Sequence, residues 1–232
     1  MLLLIRGHIR NAFDTEDLYN FVKQIHQLYK VDIYIQTWSV FSNSISWRPI
    51  SDNPIKVTDE IIRAYFKEVP IKSILILDDT KITITGNKTG VVIKSGIPII
   101  GWKNMWYGKA AVADHVAECE HSDTLLINTR FDLFCNSNNP TAANLLIFVA
   151  KNNNTQPASL IFMSSLACCG IDNFYITTVA INRNISQHFN TNLDEILSRR
   201  EYQSTIHPEK LVFYENARIF GTTLRKLGVF RR

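Results

Sequence analysis

The stretch DTLLINTRFD, residues 123–132, decides the fold class of this chain. Residues 124–127 are apolar and β-favouring, and the run is short enough to be a buried strand. Polar and charged side chains follow at once, with Arg130 and Asp132 closing the stretch. Ligands of open α/β sheets bind at the carboxyl ends of the strands. An Arg-Phe-Asp triplet there can bind a phosphate through its Arg and a hard cation through its Asp. The alternative is a strand that simply surfaces into a solvated turn.

The same alternation of short apolar runs and amphipathic stretches extends through the first 135 residues. It predicts βαβαβαβ, which is typical of a parallel sheet with right-handed crossovers. The predicted strands are residues 2–5, 31–35, 74–77 and 124–127, and the predicted helices are 16–29, 58–66 and 104–119. Asp14 or Thr15 is expected to cap the first helix, and Thr58 the second.

The remaining residues, 136–232, predict a less regular half of the same domain. Residues 141–150 fit a strand or a helix, and 159–163 and 174–181 are short β-leaning runs. Residues 193–200 and 207–216 predict helices, the second opening with Pro208 at a position that helices favour. We therefore expect one α/β domain over residues 1–232.

Composition and charge limit the classes of partner. The chain has 232 residues, of which 46% are hydrophobic, so it can bury a sizeable core. Its net charge is +4, and no block of five or six like charges occurs, so nucleic acid is not indicated as a partner. A mild positive bias favours an anionic small-molecule ligand.

The cysteines and the apolar runs bear on the compartment. The chain has four cysteines, and the adjacent pair Cys168–Cys169 lies in an apolar context and lacks the two-residue spacing of zinc ligands; the others are Cys119 and Cys135. Buried reduced thiols are expected, which favours a reducing compartment. The opening MLLLI is too short for a signal peptide, and no run approaches the ~20 apolar residues of a membrane span. A cytoplasmic protein without a membrane span is expected, in a bacterium or in the host cell of a virus.

Each of the four predicted strands ends in a polar cluster. In a parallel sheet these ends open onto one edge, so their side chains are expected to converge on one cleft. Glycine permits close backbone approach to a phosphate, arginine neutralises it, and tryptophan has a flat surface for a base or sugar ring. An aspartate after the third strand either contacts the base or ribose or caps a solvated turn. The candidate residues are Arg6, Gly7, His8, Arg10, Thr37, Trp38, Asp78, Arg130 and Asp132.

Six segments, in this order, resemble a family of glycosyltransferases. They are IRGHIRNAF (5–13), VDIYIQTW (31–38), MWYGKAAVA (105–113), INTRFDLF (127–134), GIDNFYITT (170–178) and HPEKLVFYE (207–215). The family occurs in bacterial capsule and lipopolysaccharide gene clusters and in large DNA viruses, including chlorovirus capsid glycosyltransferases. The resemblance covers residues 1–221.

The resemblance implies a GT-A-type fold, which is a Rossmann-like nucleotide-binding fold with a mostly parallel sheet flanked by helices. It implies a donor half over residues 1–135, an irregular acceptor half over 136–232, a UDP-sugar or other nucleotide-sugar donor, and Mn²⁺ or Mg²⁺ as cofactor. Asp132 takes the last acidic position of the metal-binding acid-any-acid motif, whereas Arg130 replaces the first. His207 stands where a late metal or phosphate ligand can occur, and Asp172 where inverting members place an acceptor-facing base.

These observations predict metal-assisted transfer of a sugar from a nucleotide-sugar donor to a glycan or glycoprotein acceptor. Asp132 and His207 are expected to hold the metal, Asp172 to act as base if the enzyme inverts, and the other candidates to bind the nucleotide. Two alternatives remain open. One is a non-catalytic GT-A-like module that binds sugar or protein, which the Arg130 substitution favours. The other is a sugar-1-phosphate nucleotidyltransferase, although no Gly-rich triphosphate loop follows the first strand.

Overall fold

The computed structural model describes residues 1–43, 52–93, 95–135, 140–154, 160–164, 171–203, 208–220 and 224–229. Of residues 164, 171, 172 and 224–229 it describes the backbone alone. The strands are β1 Leu2–Arg6, β2 Asp32–Trp38, β3 Val40–Ser42, β4 Asn53–Lys56, β5 Ser73–Leu77, β6 Leu125–Arg130, β7 Leu160–Ser164, β8 Ile171–Thr178 and β9 Leu224–Val229. The helices are α1 Asp17–Tyr29, α2 Asp59–Phe66, α3 Ile99–Cys119, α4 Ala142–Asn152, α5 Val179–Ser198 and α6 Pro208–Phe220. Short 3-10 helices span Phe131–Phe134 and Arg200–Tyr202.

Seven strands form one mostly parallel sheet in the order β5-β2-β1-β6-β8-β7-β9. Only β8, among these seven, runs antiparallel to its neighbours. β3 and β4 pair separately as a small antiparallel sheet. The prediction of an α/β, Rossmann-like fold with helices flanking a mostly parallel sheet is confirmed. Strands from both predicted halves join this one sheet.

Strand alternation explains why the sheet is buried on both faces. Leu3 and Ile5 of β1 pack in a core with α1, α2 and α4, which we call the first face. Leu2 and Leu4 point the other way and pack against α3. Further along the sheet, this second face is covered by α3, α5 and α6 around Trp106. Because both faces of β1 are covered, its first four residues form a continuous apolar run. Each fully buried leucine stabilises the fold by about 1.5–3 kcal/mol.

Capping residues fix several of the helix starts. The Thr58 hydroxyl accepts a hydrogen bond from the Ile61 amide at 3.4 Å, so the predicted cap of α2 is confirmed. The predicted cap of α1 is wrong, because Glu16 takes the N-cap position and makes no side-chain cap bond. The Thr15 hydroxyl instead donates to the Asp17 carboxylate at 3.0 Å.

The second half is more regular than the sequence indicates. Residues 141–150 resolve as helix α4, capped by the Thr141 hydroxyl, which accepts from the Asn144 amide at 3.3 Å. The run 174–181 is not strand throughout, since β8 ends at Thr178 and α5 begins at Val179. The Thr178 hydroxyl accepts from the Ile181 amide at 3.4 Å and so starts this helix well before the predicted residue 193. The predicted C-terminal helix is confirmed as α6.

The thiols and helices add two findings. Cys119 is exposed, because it ends α3 at the surface, so the expectation of a buried thiol is wrong there; Cys135 is partly buried. Cys168 and Cys169 lie outside the described residues. Among the described helices, none combines the length and the apolar content that crossing a membrane requires.

Candidate functional site

A cleft opens at the carboxyl edge of β1, β2 and β6. Arg6, Trp38 and Arg130 are the last residues of these three strands, and all three line it. The early turns of α3 and the start of α6 form the opposite walls. The lining residues are Arg6, Gly7, His8, Arg10, Gln36, Trp38, Asn43, Ile97, Gly101, Trp102, Asn104, Met105, Arg130, Asn173, Pro208, Glu209 and Val212.

Register and alternation together decide which strand residues reach the cleft. Arg6 is paired with Gln36 on one side and with Arg130 on the other, so the three lie in a row across adjacent strands. Their side chains share the second face with Leu4 and face α3. Thr37 alternates to the first face, where it is fully buried and does not line the cleft. The structure therefore does not bring Thr37 to the site.

Arg6 lies beneath the cleft as a buried charge. It is 2% exposed, and its Nε donates to the Asn128 Oδ1 at 3.0 Å, with Asn128 also fully buried. Burying a guanidinium is costly unless hydrogen bonds compensate it. Arg6 thus adds a fixed positive charge to the floor of the cleft.

Three residues at the mouth form what we call the arginine–aspartate cluster: Arg10, Arg130 and Asp132. Arg130 Nη2 donates to the Asp132 Oδ2 at 2.6 Å, and Arg10 Nη1 donates to the same oxygen. Arg130 Nη1 also donates to the Asn173 Oδ1 at 2.9 Å. The Asp132 side chain is only 4% exposed, whereas Arg10 and Arg130 are 11% and 20% exposed. The carboxylate therefore lies behind the two guanidiniums.

The cluster does not fit the metal site that the resemblance implies. A hard cation needs several oxygen ligands, but the Asp132 carboxylate already accepts from two guanidiniums. At an effective dielectric constant near 20, two like unit charges about 4 Å apart repel each other by roughly 4 kcal/mol. Each guanidinium would repel a divalent cation at that distance by about twice this energy. Within the described ranges, no three His, Cys, Asp or Glu side chains are grouped to hold a metal ion. His207 lies outside the described residues.

The loop after β1 takes a shape that requires Gly7. Its φ is +97°, and a Cβ there would meet nothing within 4 Å, so conformation and not space requires the glycine. The Gly7 amide donates to the Gln36 carbonyl at 3.0 Å, and Gly7 itself lines the cleft. Arg10 also has a positive φ, +55°, and its amide donates to the Phe41 carbonyl at 2.8 Å.

His8 and Trp38 form one side of the cleft. Their ring centroids are 5.8 Å apart, and Trp38 is only 3% exposed, so little of its flat face is available for a base. His8 Nδ1 lies 3.3 Å from the Val40 carbonyl. Burial lowers the pKa of His8 to about 4, although the hydrogen bond to Val40 opposes this, and the ring is therefore neutral at pH 7.

Asp78 takes the turn role and does not line the cleft. Its carboxylate accepts from the Thr80 hydroxyl at 2.6 Å and the Thr80 amide at 3.0 Å, and it pairs with Lys81 at 3.1 Å. The hydrogen bonds from Thr80, followed by that from Lys81, lower its pKa. The neighbouring Asp79 instead accepts a hydrogen bond from Asn43, which does line the cleft.

The backbone of Asp172 belongs to β8, and this residue directly precedes the cleft residue Asn173. It lies at the entrance of a strand, as the sequence predicts. Its side chain is outside the described part of the structure, so its role as a base stays a prediction. Among the described residues that line the cleft, Glu209 in the first turn of α6 is the only carboxylate.

Sequence reasoning missed several cleft residues. Gln36 precedes Thr37 at the same strand end; strand alternation shows that the two side chains point to opposite faces, but it does not show which face borders the cleft. Asn104, Asn173 and Glu209 come from elements that reach the cleft only through the sheet order and helix packing. No local pattern indicates them.

The charges of the described residues that line the cleft sum to a positive value. Among these residues, three arginines face one carboxylate, Glu209, with Asp132 behind them. The amino-terminal turns of α3 and α6, which carry the positive end of a helix dipole, also border it. The arrangement suits an anionic ligand with several phosphate oxygens.

Comparison with known proteins gives no functional assignment. No protein-family model matches the chain, and no curated protein matches it in sequence. Among solved structures, one similar chain is described as a mycobacterial protein; it is 10% identical, with a TM-score of 0.42. That alignment covers 100% of this chain and 68% of the other.

Proposed function

We propose that this chain is a glycosyltransferase that moves a sugar from a nucleotide-sugar donor, with UDP-sugars first in order, to a hydroxyl of a glycan or glycoprotein. The observation that carries the proposal is the convergence of Arg6, Arg10 and Arg130 on one cleft at the carboxyl edge of parallel strands. Guanidinium groups bind phosphate oxygens in a bidentate manner. A nucleoside diphosphate is a ligand of matching charge, and it is the leaving group of sugar transfer.

The sheet supports the same proposal. The predicted donor half contributes four parallel strands to the sheet, and the antiparallel β8 then brings the second half of the chain beside β6. Arg130 and Asn173 meet at that junction at 2.9 Å. Contact between the predicted donor half and the predicted acceptor half beside this cleft supports the proposal of a GT-A-type transferase.

The chemistry needs two kinds of group. As the bond between the anomeric carbon and the diphosphate oxygen breaks, negative charge grows on the leaving group, and the arginines stabilise it. The acceptor hydroxyl must also lose its proton, and a carboxylate can take it if the reaction inverts. Asp172 and Glu209 are the candidates for this base. A retaining reaction needs neither.

The rival function is a non-catalytic module with the same cleft. The observation that favours it is the engagement of Asp132 by two arginines, since this removes the carboxylate that a metal-dependent transferase would use. The module predicts binding of a nucleotide or sugar without release of nucleotide. Turnover therefore separates the two.

Nucleotide release from a panel of UDP-, GDP- and TDP-sugars tests the proposal. We expect one donor to be hydrolysed or transferred, and Arg10→Gln to lower that rate by about 10²–10³-fold, as removal of one transition-state donor does. Arg63→Gln is the matched control, because Arg63 is an exposed arginine of α2 that pairs with Asp59 away from the cleft. Binding without release from every donor would favour the module, and absence of both would refute the proposal.

The base is tested in the same assay with Glu209→Gln and Asp172→Asn. The substitution that removes the base should lower turnover by about 10²–10⁴-fold and leave UDP affinity unchanged. Wild-type rates in both variants would indicate a retaining reaction or a base elsewhere.

A further inference from the structure

We infer that the arginine–aspartate cluster itself neutralises the donor's diphosphate, without a divalent cation, and that Asp132 positions Arg10 and Arg130 instead of binding metal. The identity of the ligand rests on the proposed function; the metal-independent binding of phosphate rests on the cluster alone. The charge balance is the first step. Two guanidiniums against one carboxylate leave one positive charge, whereas an acid-any-acid motif leaves two negative charges. A site of this sign attracts the diphosphate and repels the cation.

Asp132 is held in place by its own segment. It belongs to the short 3-10 helix that follows β6, and its neighbours Phe131 and Leu133 are buried in the core of the first face. Its carboxylate is almost fully covered. An acid fixed behind two partly exposed arginines orients their donors toward the cleft.

Both arginines are also fixed from a second side. Arg130 donates to Asn173 on β8 at 2.9 Å, so its fork is held between two strands. Arg10 is fixed through its backbone, because its amide donates to the Phe41 carbonyl at 2.8 Å in a left-handed conformation. A guanidinium carries five N–H donors in a rigid fork. Because the side chains are ordered beforehand, binding loses less conformational entropy.

The first experiment titrates the full chain with UDP and with inorganic pyrophosphate, in EDTA and in excess Mn²⁺, by calorimetry. We expect the affinity for each ligand to change by less than about threefold between the two conditions. A gain of about tenfold or more with Mn²⁺ would overturn the inference.

The second experiment removes the charges one at a time. Arg10→Gln and Arg130→Gln should each weaken pyrophosphate binding in EDTA by about ten- to a hundredfold, the range of a charge-assisted contact. Arg183→Gln is the control, because this exposed arginine of α5 pairs with Asp114 outside the cleft. If Arg130→Gln binds pyrophosphate in EDTA as tightly as the wild type, Arg130 does not contact the diphosphate and the inference is wrong.

The third experiment tests the positioning role of Asp132. Asp132→Asn keeps an oxygen that accepts from the arginines, whereas Asp132→Ala keeps none. We expect the Asn variant to retain binding in EDTA within a few-fold and the Ala variant to lose most of it. Equal loss in two folded variants would refute the positioning role, and if the Ala variant does not fold, loss of binding in the Asn variant refutes it alone.

The outcomes separate the inference from the proposed function. Pyrophosphate binding in EDTA, with no preference for UDP and no nucleotide release, would support the inference and refute the function. Donor turnover that requires Mn²⁺ would support the function and refute the inference. Binding of neither ligand in any condition would refute both.

Discussion

Gly7 and Arg10 both have positive φ angles, and together they turn the chain from β1 across the edge of the sheet. The turn places Arg10 over Asp132, 122 residues away in sequence. Glycine adopts a positive φ without steric cost, whereas the Cβ of Arg10 makes this conformation unfavourable. The shape of this loop therefore determines the geometry of the arginine–aspartate cluster.

Gly7→Ala should lower the free energy of unfolding by about 1–2 kcal/mol, because alanine is strained at a φ of +97° although there is room for its methyl group. It should also weaken UDP binding by displacing Arg10. Gly90→Ala is the matched control, since Gly90 has a φ of +86° and does not line the cleft. Chemical denaturation and calorimetry measure the two effects. Equal UDP affinity in both variants would show that the loop does not position the cluster.

His8 gives a pH dependence with a defined sign. Its pKa is lowered in the folded state to about 4 from an ordinary 6.5, chiefly by burial. The unfolded chain therefore binds more protons between these values, and stability is lost as the pH falls from about 6.5 to about 4. We expect His8→Gln to flatten the stability curve between pH 6.5 and 5. If the stability of the two proteins depends on pH in the same way, His8 is not held neutral in the folded state.

Thr37 and Gln36 show how far individual cleft residues could be predicted from the sequence. The polar cluster at the end of β2 was visible, but the choice within it depended on which face of the sheet the cleft occupies. Gln36 follows Tyr34 onto the second face, whereas Thr37 follows Ile35 onto the first. Only the packing of α3 tells which of these faces borders the cleft.

Among the elements, α6 depends on a buried carboxylate for its position. Glu215 is fully buried and accepts hydrogen bonds from His188, Tyr202, Arg199 and Arg218. Burial alone would raise its pKa, but the hydrogen bonds from Arg218, His188 and Tyr202 and the charge of Arg199 outweigh burial and lower it to about 2. The same helix brings Glu209 and Val212 to the cleft.

Glu215→Gln should lower the free energy of unfolding by about 3–5 kcal/mol, because it removes the charge of a fully buried carboxylate that pairs with Arg199 and Arg218. Glu195→Gln is the control: Glu195 also pairs with Arg199, at 2.9 Å, but its side chain is 68% exposed, and the loss should stay below about 1 kcal/mol. Denaturant unfolding at pH 7 measures both. The Glu215 contribution is present above about pH 4.5 and is lost as the pH falls toward about 2. Equal losses in the two variants would show that burial does not matter here.

The sequence predicted some element boundaries and missed others for a physical reason. Thr58 stands directly before an amphipathic run, so its cap was recognisable. Thr178 has an apolar β-favouring run before it and Val179, Ala180 and Ile181 after it, so the pattern continues across the boundary. A hydroxyl that accepts one amide hydrogen bond ends β8 and starts α5 there, and periodicity alone cannot locate such a point.

At the scale of the whole molecule, the parallel edge was predictable and the far wall of the cleft was not. Short apolar runs separated by amphipathic helices imply β1, β2, β5 and β6 and their common edge. The insertion of β8 between β6 and β7, which brings Asn173 to Arg130, depends on pairing between distant segments. The arrival of α6 at the cleft likewise depends on tertiary packing.

The charge of the molecule and of its cleft act in the same direction, and this predicts a salt effect. The chain carries a net charge of +4, and three arginines line the cleft. UDP binding should weaken several-fold between about 0.05 and 0.5 M NaCl, because the Debye length falls from more than 10 Å to a few ångströms. Uridine, which has the same base and ribose but no charge, should respond little. Calorimetric titration of both ligands over the salt series measures the difference.

If UDP and uridine respond equally, the base and ribose carry the binding and the arginines do not contact the diphosphate. If UDP alone weakens, with its remaining affinity at high salt lost in Arg130→Gln, the arginines supply both the long-range attraction and the direct contact, since contacts shielded from solvent are screened far less.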